Sequence, residues 1–464
     1  MRRFAAPLCV LALSACTVGP NYRPPAPAAL SVPDTYYRRP AEAAPADLAR
    51  WWERFDDPLL TRLIGEASAG SLDLAAASAR LTQARESLVQ ARAGLVPTVT
   101  GSAGAGRNFG PGNDTNSFNV GADAAWEVDL FGRIRRGVEA ARADAEGSYY
   151  DREALRVAIV AEVATNYIDA RLAKEQLAIA RDTLAIADDD LQIATWRRQA
   201  GLVSSLDVEQ ARAARAQAAA AIPNIENSFA SATYRIAVLT GRAPGALTDE
   251  LNAAKPIPKG PANVAVGIPA DTLRQRPDVR AAERSLAAAT ARIGVAEAQL
   301  LPDLRLSGNI GTSATSIGGL FNAITGGIFS SLSQTLFDGG RLRSQLRAQR
   351  AATEAALATY HQSVLTSLED VENALNALRA ARARQTQFAI ALEAATNSAI
   401  LARSQYRAGL TDFQQLLEAE RSLLSARNGV AGSRGDEALA LVQLYRALGG
   451  GWDSTAAPLT GTSQ

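Results

Sequence analysis

The side chains that most often perform chemistry are scarce in this chain. Its one histidine, His361, sits in Tyr360-His361-Gln362 within a helical pattern, with no cysteine near it to share a metal. Asp188-Asp189-Asp190 is a dense acidic run. On a helix three successive side chains point in different directions, so the run reads as a solvated face and not as a cation site. No phosphate-binding glycine loop or nucleophile elbow occurs; Gly104 and Gly106 fall in an alternating stretch, not at a strand-to-helix turn. Neither an enzyme nor a metal or other cofactor is expected. The remaining reactive groups are two thiols, Cys9 and Cys16, both within the first sixteen residues.

Around Cys16 the sequence is informative. Arg2-Arg3, an apolar run from Phe4 to Leu13, and then Leu13-Ser14-Ala15-Cys16 form a charged start, a short hydrophobic stretch and a small-residue cleavage site. The run is too short to span a bilayer. A cysteine directly after Leu-Ser-Ala resembles the bacterial lipoprotein signal, in which that cysteine is acylated and becomes the first residue. Thr17 follows where an aspartate would argue for inner-membrane retention, so the resemblance implies the outer membrane. Cleavage leaves 46 basic against 47 acidic residues, and this balance carries no basic excess for nucleic acid.

The elements that organise the rest announce themselves at two glycines. Arg198-Gln199-Ala200-Gly201-Leu202 answers Tyr406-Arg407-Ala408-Gly409-Leu410, spaced by 208 residues (409 − 201), and Gly241 answers Gly449 at the same spacing. A glycine just past a helix end supplies the left-handed backbone that stops it. Thr411 and Gln414 stand at capping-box spacing, which restarts a helix. Each glycine therefore reads as a tight turn between two antiparallel helices, and the chain as an internal duplication.

In order, residues 1–15 read as the signal and 16–55 as a proline-rich tether. Residues 56–245 form a first repeat, 246–268 a Pro/Gly-rich connector, 269–450 a second repeat and 451–464 a polar tail. In the first repeat one helix runs from Leu59 through Leu81, Leu88 and Leu95 to Pro97. The period then changes to two. Phe118, Val120, Ala122, Ala124, Trp126 and Val128 alternate with Asn119, Gly121, Asp123, Ala125 and Glu127. Strands are expected at about 98–106 and 117–130, and in the second repeat at about 303–311 and 327–337. After Phe131-Gly132, roughly 65 residues without a stop make a rod of about 100 Å. Leu177, Ala180, Leu184, Ala187, Leu191 and Ala194 give it a heptad seam, as do Phe388, Leu392, Ala395, Ala399, Ala402 and Tyr406 in the second copy. Return helices follow, the first from about Ser205 to Leu239 with Pro223 as a candidate kink.

Four strands with one apolar face cannot span lipid alone, because every backbone group there must be paired and closed barrels begin at about eight strands. A membrane barrel then demands several copies. The alternative is four short soluble strands capping a helical bundle.

The chain resembles the TolC/OprM-type outer-membrane efflux factors, in particular their NodT-like lipoprotein branch. The resemblance rests on Cys16-Thr17-Val18-Gly19-Pro20-Asn21-Tyr22, Trp51-Trp52 through Pro58, Arg276-Pro277-Asp278 through Glu283, Tyr406-Arg407-Ala408-Gly409, and Leu448 through Trp452. It covers essentially the whole mature chain. It implies a mainly α fold with a small transmembrane β part. Three chains would share one twelve-stranded β-barrel continued by a periplasmic α-barrel. The implied role is the passive exit channel of a tripartite pump for drugs or other small toxic compounds. Its implied partners are a periplasmic adaptor and an inner-membrane transporter, most often of the RND type. Residue by residue, the resemblance places the lipid on Cys16 and the gate at Asp207, Tyr406, Gln414, Gln415 and Glu418. It puts adaptor contact at the tips Gly201, Leu202, Gly409 and Leu410. Asp207 matches an aspartate that hydrogen-bonds a tyrosine at the position of Tyr406, and Glu418 falls at a pore-facing acidic ring. Thr411 stands where some members carry an arginine link. For Asp207, Gln414, Gln415 and Glu418 the alternative role is a solvated or capping side chain at a helix start. Two rival functions remain open: a duct for secreted protein, and a periplasmic coiled-coil lipoprotein that forms no channel.

Overall fold

In the computed structural model, residues 17–37, 48–110, 114–264, 266–267 and 269–455 are described. Two copies of one plan follow each other. The first has helices α1 (Pro58–Gly70) and α2 (Leu72–Ala93), strands β1 (Thr98–Asn108) and β2 (Thr115–Val128), the rod α3 (Arg133–Gln199) and the return helix α4 (Ser205–Leu239). Short helices α5 (Thr248–Asn252) and α6 (Pro269–Gln275) bridge to the second. There α7 (Pro277–Ala298), β3 (Asp303–Ala314), β4 (Thr325–Ser333), α8 (Arg341–Arg407) and α9 (Phe413–Ala447) repeat the order.

The two rods are 67 residues each and the two return helices 35. Helices α2 and α7, 22 residues each, pack on the rods near the strands, while α4 and α9 pack on them toward the glycine turns. A short and a return helix laid end to end thus cover most of one rod, about 100 Å at 1.5 Å per residue. The seams are alanine-rich, with Ala180, Ala194, Ala395, Ala399 and Ala402 buried, which lets the helices approach closely. Helix α4 passes through Pro223 unbroken.

The helix expected to run from Leu59 to Pro97 is in fact two. It breaks at Ser71, whose backbone is extended. The cause is tertiary: a Cβ on Gly70 would lie 2.7 Å from the Thr240 carbonyl oxygen, and one on Gly241 would lie 2.4 Å from that of Gly70. Two helix ends meet there backbone to backbone. Gly241→Ala also forces a left-handed φ of +75° on a residue with a side chain. We expect that substitution to cost at least ~1–2 kcal/mol, read as a lower thermal midpoint of the purified protein.

The strands form one antiparallel sheet in the order β1-β2-β3-β4. The central pairing, β2 with β3, joins the two repeats. Its register aligns like with like: Asp123 opposes Asn309 and Glu127 opposes Arg305 on one face, while Ala122 opposes Ile310 and Trp126 opposes Leu306 on the other. The fourth strand ends at Ser333 and not near 337, because Ser333 is the residue opposite Asp303, where β3 begins. The second strand stops at Val128; the carboxylate of Asp129 accepts the Arg135 amide at 2.8 Å instead of continuing the ladder. Phe329 lies opposite Ser307 on the polar face and is the one large aromatic there within β4.

The largest core lies between strands and turns. Trp51, Phe55, Leu60, Leu63, Ile64, Tyr167, Ile168, Leu441 and Tyr445 meet there, and the Trp51 and Tyr445 rings stack at 5.1 Å. Nearer the strands the segment after Cys16 is clasped. Val18 donates to the Phe131 carbonyl at 3.1 Å, and the buried Arg136 reaches the carbonyls of Val18 and Gly19, both at 3.0 Å. Cys16 itself lies outside the described residues. Among the described residues no helix is long and apolar enough to cross a membrane.

Candidate functional site at the helical tip

Both rods end in the same motif. Gly201 (φ +73°) and Gly409 (φ +75°) adopt the left-handed conformation. Leu202 donates across the turn to the Arg197 carbonyl at 2.8 Å, and Leu410 to that of Gln405 at 2.9 Å. The glycine amides bond Arg198 and Tyr406 carbonyls, both at 3.0 Å, completing Schellman geometry. Leu202 and Leu410 are left 67% and 78% exposed, as the outermost apolar side chains of the two turns.

Beneath the turns lies a small core of Ala194, Val208, Ala211, Ala402, Tyr406, Phe413 and Leu416. It joins the two hairpins. Tyr406 is 1% exposed, with its ring 5.4 Å from that of Phe413. Burial pushes its phenol above the usual value, and the nearby Arg197 opposes that shift. The Arg197 guanidinium lies 4.5 Å from the ring centre and donates to the Tyr406 carbonyl.

The hydrogen bond implied between Asp207 and Tyr406 is not made within the chain. Asp207 stands third in its helix, and its Oδ1 accepts from the Ser204 hydroxyl at 3.0 Å, a link that braces the helix start. Among the described residues the phenol oxygen is buried without a well-formed hydrogen bond. The capping residue of the second hairpin is likewise Asp412 and not Thr411. Its carboxylate accepts the Gln415 amide at 2.8 Å, while the Thr411 hydroxyl meets the Gln415 side chain. Gln414 and Glu418, four apart on α9, are exposed on one face.

Sequence reasoning missed two participants. Arg197 reads as a last-turn cation that complements the helix dipole, and nothing local shows that it reaches the other hairpin. The acidic run is not uniformly solvated. Asp188 pairs with Arg215 at 2.7 Å, yet Asp190 is 4% exposed against the second hairpin. His361 is half-buried in α8, and among the described residues no three His, Cys, Asp or Glu side chains converge as a metal site.

A sheet with one apolar face, duplicated helical hairpins and paired glycine tips define the architecture of outer-membrane export proteins. The chain belongs to the outer membrane efflux protein family, whose model it matches over residues 63–242 and 268–450. Nodulation protein T of Rhizobium leguminosarum bv. trifolii is 31% identical over 465 residues, covering 98% of each chain. The pyoverdine export outer membrane protein OpmQ of Pseudomonas putida is 33% identical over 461 residues, covering 96% of this chain and 98% of its own. Among solved structures, the outer-membrane channel OprN superposes with a TM-score of 0.86 at 36% identity, over 94% of this chain and all of its own. The MtrE channel of Neisseria gonorrhoeae gives 0.81 at 28%, over 95% and 99%. The protein is thus an outer-membrane efflux protein with a long periplasmic helical extension, and not an enzyme.

Proposed function

We propose that three copies of this chain form the exit duct of a tripartite, RND-type efflux pump. The observation that carries this reading is the sheet: four strands in register, polar on one face and apolar on the other, with the outer edges of β1 and β4 unpaired among the described residues. Three such sheets joined edge to edge close a twelve-stranded barrel, with the Asp123 and Asn309 face lining the lumen. The rods then continue it as a periplasmic tube that narrows at Gly201 and Gly409, where Leu202 and Leu410 meet an adaptor. Relatives named for pyoverdine export and toluene efflux favour small-molecule cargo over secreted protein. The purified protein should run as a heat-modifiable trimer and give discrete single-channel conductance in planar bilayers. A monomer without conductance would refute the reading.

Two further outcomes belong here. The clasp by Arg136 holds Thr17 beside Gly132 at the foot of the sheet, which would place an acyl chain on Cys16 in the inner leaflet. Cys16→Ser should abolish incorporation of labelled palmitate, and closure of the barrel should still retain the protein in the membrane. Glu418, exposed beside Gln414 and repeated three times about the axis, would form a negative ring. Glu418→Ala should lower cation selectivity, measured as reversal potential in a salt gradient, with trimer yield unchanged.

A further inference from the structure

About two to three turns above the tip, three helices bring together Asp190 of α3, Arg403 of α8 and Glu420 of α9. Arg403 Nη2 donates to Glu420 Oε1 at 2.7 Å, with side chains 30% and 15% exposed. The Asp190 carboxyl lies next to that of Glu420 and is 4% exposed, and among the described residues its Oδ2 has no hydrogen-bond partner. We propose that this trio is a proton-operated latch tying the first helical hairpin to the second.

Charge counting requires the proton. Two carboxylates share one guanidinium, because Arg403 is the cation that acts on Asp190. Of the others nearby, Arg215 of α4 pairs with Asp188 at 2.7 Å, Arg197 lies on Tyr406, Arg427 is 3.9 Å from Asp182, and Arg421 is exposed on the groove beside Glu420. Asp189 adds negative charge from Asp190's own helix, and the Tyr406 phenol of α8, raised by burial, stays neutral beside them. A second carboxylate buried against the first without a cation is strongly disfavoured. With one proton between them the two carboxyls hydrogen-bond, and the trio becomes neutral. Arg403 and Glu420 also line a groove with Ile186, Leu417 and Leu423, which gives water and protons a route to the pair.

Burial, then the facing Glu420, push the Asp190 carboxyl up to about 8. The joined arrangement is therefore fully favoured below the ordinary carboxylate value of about 3.9 and loses that advantage as pH rises toward 8. Across that window the joined-to-separated ratio changes by up to roughly tenfold per pH unit in each subunit. Acid holds the hairpins together and mild alkali frees them.

The effect on conduction rests on the duct reading; the latch does not, and the two fail separately. Nitroxide labels on Arg198→Cys and Arg407→Cys, diluted with unlabelled protein, report the separation of the hairpins. Wild-type side chains at the trio should give a short distance at pH 5 that lengthens by pH 8.5. Asp190→Asn should hold the short distance throughout. A protonated-carboxyl infrared band present at pH 6 should be lost by pH 9 and be missing in Asp190→Asn. The latch is overturned if that band is absent, or if Asp190→Asn keeps the wild-type distance profile. Label movement without any conductance would count against the duct alone.

Discussion

Val120→Arg is expected to empty the outer membrane of assembled trimer, while Asn119→Arg, one residue away, leaves it in place. The register decides this. Val120 shares its face with Ala103 of β1, and Asn119 faces the opposite way beside Gly104 and Ser313. Arginine on the lipid face of a barrel costs ~2–4 kcal/mol near the midplane, so three copies lose about 6–12 kcal/mol. That is comparable with the whole stability of an ordinary domain, about 5–15 kcal/mol. Ala122→Arg, between Gly101 and Ile310, should act in the same way. Quantifying heat-modifiable trimer in membrane fractions checks it; equal yields from the two faces would mean that the sheet does not meet lipid.

The second large effect belongs to Arg197. Its guanidinium bonds the Tyr406 carbonyl and covers the Tyr406 ring, so it links the first hairpin to the second. A charged hydrogen bond contributes ~1.5–3 kcal/mol and a cation–π contact ~0.5–2 kcal/mol. Arg197→Ala removes both in each subunit. It should raise single-channel conductance and sensitivity to vancomycin, with trimer yield unchanged. Tyr406→Phe keeps the ring and the carbonyl and should stay close to wild type, as should Asp207→Ala, whose carboxylate braces Ser204. The opposite ranking would place the closure on a phenol–Asp207 contact formed only in the assembled protein.

What was legible beforehand follows backbone rules. A glycine that must be left-handed, a heptad stripe and a two-residue alternation each act within a few residues, so Gly201, Gly409 and the strand faces could be read directly. The break at Ser71 could not, because it depends on Gly241, far along the chain. The cap shifted from Thr411 to Asp412 since both residues suit the position and only the backbone chooses. Arg197 was missed and Asp190 misread for one reason: the surroundings of a charge are decided by the helix that arrives opposite, and the partners at 403, 406 and 420 lie more than 200 residues away.

The clasped leading segment has a kinetic consequence. The Tyr37 amide donates to Glu372, 335 positions later, and Gly451 donates to the Leu48 carbonyl at 2.9 Å. The first residues to emerge therefore find their seats only after the last have been delivered. Loop-closure entropy must be met before those contacts repay it, which makes such a topology slow to fold. Until then Trp51, Trp52 and Phe55 have no C-terminal surface to cover them. Folding of this core is thus a late event, and the exposed aromatics of the waiting chain are natural targets for a holding chaperone.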